Sequence, residues 1–260
     1  MNRDDKEQVL SALKTACAKM AMLTIHGNER HHNMMVGNNQ GFLSIVSVIK
    51  LFQNYGFHVH LNFMLNKFLI TDWEEILSTF SSYHDIDAHI TIPLYLPIER
   101  LRNFQKYRAE YNECMQLKNK LSVFSMDEKA FFDKVEKFNE RSIFPLLSDW
   151  DFKQKNISQP QWSFFNIDQN GDLYYGNVGL HTKYLGNILE TSEQELLSAI
   201  QKKSANYDYS AYYNIDSLPL AKDLYANIFP LNSNYVFPDM EGAIYYWLDK
   251  INTPTILLNR

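Results

Sequence analysis

Three apolar segments in the first hundred residues alternate with segments of helical periodicity, and this order constrains the fold more than any other feature. The apolar segments are residues 20–25, 57–65 and 88–96. Residues 42–55 carry apolar side chains at helical spacing, and Gly56 suits the end of that helix. Another helix is predicted after Thr71, because Glu74 would complete a capping box. The predicted order is therefore strand, helix, strand, helix, strand.

Crossovers of this length join parallel strands through right-handed connections. We therefore predict an α/β fold with parallel strands, preceded by a helix within residues 4–19. The strand at 57–65 alternates, with Val59, Leu61, Phe63 and Leu65 on one face and His58, His60, Asn62 and Met64 on the other. The polar segment from His26 to Gly41 is predicted to be a loop. The segment 20–25 is predicted to be a buried strand.

The second half of the chain carries a β-hairpin signal. Residues 162–167 and 172–175 are strand-like, and Asn170-Gly171 suits the turn between them. The run Leu-Gly-Asn-Ile at 185–188 precedes a helix that Thr191 or Ser192 would cap, and a last apolar helix is predicted around 243–248. We divide the chain into a domain at 1–145 and a domain at 146–260.

Residues 219–235 form the most distinctive segment, Pro-Leu-Ala-Lys-Asp-Leu-Tyr-Ala-Asn-Ile-Phe-Pro-Leu-Asn-Ser-Asn-Tyr. It resembles the P-C-x-x-C-x-Y-x-x-x-C-P-x-x-S-N-Y motif that holds an auxiliary iron–sulfur cluster in the SPASM tails of radical SAM peptide maturases. The matching positions are Pro219, Tyr225, Pro230, Ser233, Asn234 and Tyr235. The cluster-ligand positions hold Leu220, Asp223 and Phe229 instead of cysteine. Leucine and phenylalanine cannot bind iron, and aspartate is a hard ligand, so we predict no cluster here.

Upstream segments resemble the same family in the same order. Residues 20–96 are similar to the second half of a radical SAM barrel, through Thr24-Ile-His-Gly27, His31 or His32, Val36-Gly37 and Gly41-Phe42. Residues 164–188 are similar to the SPASM hairpin. The resemblance implies a partial, half TIM barrel of parallel strands with a SPASM-like hairpin and helix appendage.

Departures from the family pattern direct the functional hypothesis. The C-x-x-x-C-x-x-C loop that ligates the catalytic cluster is absent, as are the first three barrel strands, and the chain has only Cys17 and Cys114. The chain thus resembles pseudo-radical-SAM/SPASM proteins encoded beside true maturases and double-glycine precursor peptides. That resemblance implies a non-catalytic partner, without cofactor or catalytic residues, that binds or presents a precursor peptide to an active radical SAM peptide maturase. The alternative is the C-terminal half of a split or truncated radical SAM enzyme.

Candidate site residues lie where the predicted parallel strands end, since function sits at the C-terminal strand ends of such barrels. The resemblance implies that His26, Asn62 and Tyr95 are vestigial S-adenosylmethionine contacts. His26, Glu29, His31 and His32 crowd one polar segment, but they lack the helical His-x-x-x-His spacing, so we predict no metal site. A metal hydrolase built on this segment is a third hypothesis.

Composition and the first strand bear on partners. A net charge of −5 disfavours nucleic acid, and no apolar run approaches the roughly 18 residues of a membrane span. The charged N-terminus lacks a signal-peptide core, so we expect a cytoplasmic protein. The Met20–Ile25 strand would lack its barrel neighbour, and an unpaired edge invites association. We therefore expect a partner protein or self-association at that edge.

Overall fold

The structure, a computed structural model, describes residues 6–15, 17–95, 99–147, 165–167, 170–175, 183–201, 233–238 and 240–252. The chain divides into two compact units. The first comprises Met1–Tyr95, Asn103–Pro145 and Pro230–Ile244, and the second comprises Leu96–Arg102, Leu146–Phe229 and Tyr245–Arg260.

Helices and strands alternate along the described chain. In order they are α1 Lys6–Thr15, β1 Met20–Ile25, α2 Glu29–Val36, α3 Gly41–Asn54, β2 His58–Met64, α4 Lys67–Thr71, α5 Trp73–Phe80, β3 Ile86–Thr91, α6 Glu99–Phe104, α7 Tyr111–Cys114, α8 Glu128–Lys137, α9 Glu140–Ile143, β4 Phe165–Ile167, β5 Asp172–Tyr175, β6 Lys183–Asn187, α10 Glu193–Gln201 and α11 Met240–Asn252. Short 3-10 turns lie at Gln105–Tyr107, Met115–Leu117, Val123–Ser125 and Phe144–Leu147.

The first unit contains a three-stranded sheet in the order β1-β2-β3, and both strand pairs are parallel. This confirms the predicted α/β class with parallel strands. The strands of the described ranges form no closed barrel. In the register, Met22 lies opposite His60, and His60 lies opposite Asp87.

The two faces of this sheet differ in burial as the alternation of β2 predicts. Val59, Leu61 and Phe63 are fully buried in a core that includes Ile49 of α3 and Ile76 of α5. Burial of each such side chain contributes about 1.5–3 kcal/mol. The prediction of a buried first strand is wrong for its other face, where two methionine side chains, Met20 and Met22, are exposed. One face of β1 packs on the core, and the other does not.

The prediction of a loop between His26 and Gly41 is wrong, because residues 29–36 form α2. The side chain of Asn28 accepts a hydrogen bond from the His31 amide, which caps the first turn. Gly37 ends the helix in the left-handed conformation, with φ of 66°. Asn28 and Gly37, residue types that favour a loop, thus act as the caps of a helix of two turns.

The helix cap predicted at Thr71 is also wrong. Thr71 is the last residue of α4, and its hydroxyl donates to the Lys67 carbonyl. The cap belongs to the buried Asn66, whose side-chain oxygen accepts from the amides of Phe68 and Leu69. The third strand occupies residues 86–91 instead of the predicted 88–96. Pro93 lies two residues beyond its end and has no amide to donate to a ladder.

The second unit contains an antiparallel sheet in the order β4-β5-β6, which confirms the predicted hairpin. Gly171 adopts a positive φ of 86° at the turn. Asn187 fixes the end of β6, since its amide nitrogen donates to the Asn170 carbonyl and to the Asp172 carboxylate. Ser192 caps α10 through reciprocal hydrogen bonds with Glu195, and α11 confirms the last predicted helix.

The Ser-Asn-Tyr end of the segment at 219–235 packs against α9 in the first unit. The carboxylate of the buried Glu140 accepts from the Ser233 hydroxyl at 3.0 Å and from the Tyr235 amide at 2.8 Å. Asn234 accepts from the Arg141 amide through its side chain. The replaced ligand positions, Leu220, Asp223 and Phe229, lie outside the described residues.

Arg108 is the most buried cationic group among the described residues, at 1% exposure. Its guanidinium donates to the carbonyls of Pro93 at 2.6 Å, Leu94 at 3.0 Å and Val236 at 3.1 Å. It also lies over the ring of Phe237. One planar side chain therefore joins the segment after β3 to the segment at 233–238.

We predict that Arg108→Lys lowers the free energy of unfolding by about 3 kcal/mol or more, because an ammonium cannot reach three carbonyls and the unpaired ones stay buried. Urea denaturation measures the effect. The matched control is Arg141→Lys, whose side chain is exposed and whose effect should stay within about 0.5 kcal/mol. Equal losses in the two variants would contradict the role of Arg108.

Candidate functional site

The candidate site is the face of the parallel sheet that carries polar side chains, which we term the open face. Alternate residues of the three strands, aligned by the register, define it. They are Met20, Met22 and Thr24 of β1, His58, His60 and Asn62 of β2, and Asp87, His89 and Thr91 of β3.

A chain of hydrogen bonds crosses the open face near the C-terminal strand ends. The Thr91 hydroxyl donates to the Asn62 side-chain oxygen at 2.6 Å, and the Asn62 amide donates to the Thr24 hydroxyl at 3.4 Å. The Nε2 atom of His89 lies 2.9 Å from the Thr91 hydroxyl oxygen. Because that hydroxyl already donates to Asn62, Nε2 of His89 carries the proton and donates to it. Nδ1 of His89 is then left with a lone pair.

Four side chains meet at the other end of the open face, and we term them the histidine cluster: His58, His60, Asp87 and His89. His58 Nε2 lies 2.8 Å from Asp87 Oδ2, and His60 Nε2 contacts His89 Nδ1. The ligand atoms of His58, His60 and Asp87 all lie within 4.8 Å of one another. Burial is the main cause that lowers the pKa of both His60 and His89 below the usual value.

Sequence reasoning missed the histidine cluster, although its signal is present. His58 and His60 share one face of a predicted strand, and Asp87 and His89 have the same two-residue spacing. The missing information is the register that sets the two pairs side by side.

A second group of histidines lies at the start of α2, and its donor atoms are held in separate interactions. His31 Nδ1 donates to Asp72 Oδ2 at 2.6 Å, and that oxygen also accepts from the Asn28 amide. His32 Nδ1 accepts from the His26 amide at 3.3 Å, while Glu29 is exposed. Within the described ranges, three potential metal ligands come together on β2 and β3, not at this helix.

The three residues carried over from the resemblance occupy different settings. Asn62 is buried in the hydrogen-bond chain of the open face. His26 directly follows β1, and its carbonyl accepts from the Asn66 side chain at 2.7 Å. Tyr95 is buried and lies beyond the end of β3, whereas the sequence placed it at a strand end. Their assignment as vestigial cofactor contacts stays a prediction.

Comparison with known proteins adds no family to this geometry. No protein-family model matches the chain, and no curated protein or solved structure matches it. Among the helices that the structure describes, none is long and apolar enough to cross a membrane.

His32 gives a pH-dependent prediction. It is 2% exposed, and burial, with a smaller contribution from His26, lowers its pKa to about 4. Since an unfolded histidine has a pKa near 6.5, the unfolded chain takes up this proton first. The neutral His32 thus favours the folded state above pH 6.5, and we expect a loss of about 3 kcal/mol as the pH falls towards 4.

Urea denaturation at several pH values between 7 and 4 tests this with His32→Gln, which should lose less stability over that range than the wild type. The matched control is His84→Gln, since His84 is exposed in the turn before β3. The prediction would be contradicted if His32→Gln lost as much stability as the wild type between pH 7 and 4.

Proposed function

We propose that the chain is a non-catalytic partner of a radical SAM peptide maturase and binds an extended precursor peptide along β1. Under this proposal, residues 1–145 are a half-barrel related to radical SAM enzymes, and residues 146–260 are a cysteine-free SPASM-like domain. The observation that carries it is the outer edge of β1. No strand of the described residues pairs with that edge.

Backbone geometry supports peptide binding at this edge. The Lys19 carbonyl accepts from the His58 amide, so Lys19 directs its backbone groups towards β2. In a parallel ladder alternate residues point the same way, which turns the amides and carbonyls of Met20, Met22 and Thr24 outward. An extended peptide can add to such an edge by main-chain hydrogen bonds.

The exposed methionines also support peptide binding at β1. Met20 and Met22 are 51% and 53% exposed on the open face beside that edge. Methionine is flexible and polarizable, and it suits surfaces that accept varied apolar side chains. An added strand would gain apolar contacts as well as backbone hydrogen bonds.

The number and burial of the cysteines favour a non-catalytic partner over a radical SAM enzyme. An iron–sulfur cluster usually needs four thiolates, and the chain has two cysteines. Cys114 is fully buried, and this burial strongly raises the pKa of its thiol, which disfavours the thiolate that binds metals. Cys17 is exposed, so one accessible thiol remains.

Met22→Pro provides the test of peptide binding. Proline removes the outward amide, yet an edge strand tolerates proline when that amide faces solvent. We expect the variant to bind a fluorescein-labelled precursor peptide of the double-glycine class about tenfold more weakly in anisotropy titrations.

The matched control is Met22→Thr, which changes the side chain but keeps the amide and should retain most of the affinity. Circular dichroism verifies that both variants fold. Equal affinity of Met22→Pro and Met22→Thr would contradict docking through the backbone edge. Dimerization of the wild type in light scattering, lost in Met22→Pro, would show that a second copy occupies the edge instead.

Iron analysis separates the proposed partner from the split-enzyme alternative. We expect the purified chain to stay colourless after anaerobic reconstitution with iron and sulfide, because it cannot supply the usual thiolates. A complex with the maturase should contain only the iron that the maturase binds alone. Extra iron with a visible charge-transfer band, lost in Cys17→Ser or Cys114→Ser, would favour the split enzyme.

A further inference from the structure

We propose that the histidine cluster is a binding site for one divalent transition-metal ion, with Zn²⁺ as the representative case. Two strand segments supply the ligands, each with two residues at i and i+2 on the open face. Three of the ligands are His58, His60 and Asp87, whose donor atoms lie close together, and His89 would be the fourth through its contact with His60.

Convergence of the donor atoms is the first argument. His58 is paired with Asp87 at 2.8 Å, and His60 contacts His89, so two pairs lie side by side across β2 and β3. The span of 4.8 Å covers the donor atoms of His58, His60 and Asp87. A tetrahedral Zn²⁺ with bonds of about 2.0–2.1 Å holds its ligand atoms roughly 3.3 Å apart. Small side-chain rotations would therefore bring these three donors around one ion, and His89 would join them from its place beside His60.

Available lone pairs are the second argument. A histidine binds a metal through an unprotonated nitrogen. The hydrogen bond from His89 Nε2 to Thr91 leaves the lone pair of that ring on Nδ1, which now accepts from His60 Nε2 and would exchange this contact for the ion. Asn62 fixes Thr91 in turn. Such outer hydrogen bonds orient metal-bound histidines and set their tautomer.

Ligand chemistry selects the class of ion. Three imidazoles and one carboxylate suit Zn²⁺ and its neighbours Co²⁺ and Ni²⁺, whereas Ca²⁺ and Mg²⁺ prefer oxygen ligands. The side chains of His58 and Asp87 are 44% and 54% exposed, so an ion can reach the cluster from solvent. Lys134 acts electrostatically on His89 and opposes a cation there. Its charge should weaken binding without preventing it.

Calorimetric titration of ZnCl₂ into the untagged full chain, after dialysis against a chelator, tests the proposal. We expect one Zn²⁺ per chain, and Cys17→Ser should leave binding unchanged. His60→Gln and Asp87→Asn should each weaken binding by more than about tenfold. Their matched controls are His84→Gln and Asp85→Asn, both exposed and both in the turn before β3. Asn is well tolerated at position 85, where φ is 56°.

Two further variants test the surroundings of the ion. Thr91→Val should keep the stoichiometry but lower the affinity about tenfold, since His89 loses its orienting hydrogen bond. Lys134→Met should raise the affinity, because a nearby positive charge is removed. A tetrahedral ligand-field spectrum of the Co²⁺ form, lost in Asp87→Asn, would support the four-ligand geometry.

Several outcomes would overturn the proposal. The wild type could take up no Zn²⁺, or Asp87→Asn could bind as well as Asp85→Asn. Binding that survives His60→Gln and Asp87→Asn but is lost in His31→Gln would place the ion at α2 instead. Because Asp87 is exposed, its substitution should leave the fold intact even if His60→Gln unfolds, and circular dichroism verifies this.

Discussion

In the parallel sheet, His60 lies opposite Asp87 and Asn62 lies opposite His89. A slip of one residue between β2 and β3 would turn the side chains of one strand to the opposite face. Such a slip would set Ala88 and Ile90 of β3 on the polar face and remove them from the core, where they now pack. The apolar face therefore fixes the register, and the register brings the side chains of the histidine cluster together.

Local patterns were sufficient to predict much of this architecture. The alternation in β2, the apolar periodicity of α3 and the Asn-Gly turn before β5 each act over a few residues, and each was correct. The prediction failed at α2, where Asn28 caps a helix in place of a loop, and at Thr71, where Asn66 is the cap instead. Asn28 and Asn66 are side chains that favour turns and helix starts equally, and only the surrounding packing selects between them.

The parts that could not be predicted depend on contacts distant in sequence. Asp72 binds both His31 and the Asn28 amide, across more than forty residues, so a polar segment becomes an ordered helix start. Ser233 and Tyr235 lie 93 and 95 residues from Glu140 in the sequence, yet both donate to its buried carboxylate. Loss of the Glu140 carboxylate would remove the acceptor of both hydrogen bonds at once.

The two proposed sites occupy neighbouring parts of one face but use different atoms. Docking at β1 uses backbone groups on its outer edge, whereas the ion would use side chains of β2 and β3. Strands in a sheet lie about 4.8 Å apart, so a peptide added beyond β1 would lie roughly 10 Å from β2. Met20 and Met22 stand between them, opposite His58 and His60. An ion bound at the cluster would therefore leave the outer edge of β1 free. An empty cluster would leave the backbone groups of that edge unchanged. Peptide docking and metal binding are thus separable properties of the same sheet, and the failure of one would leave the evidence for the other intact.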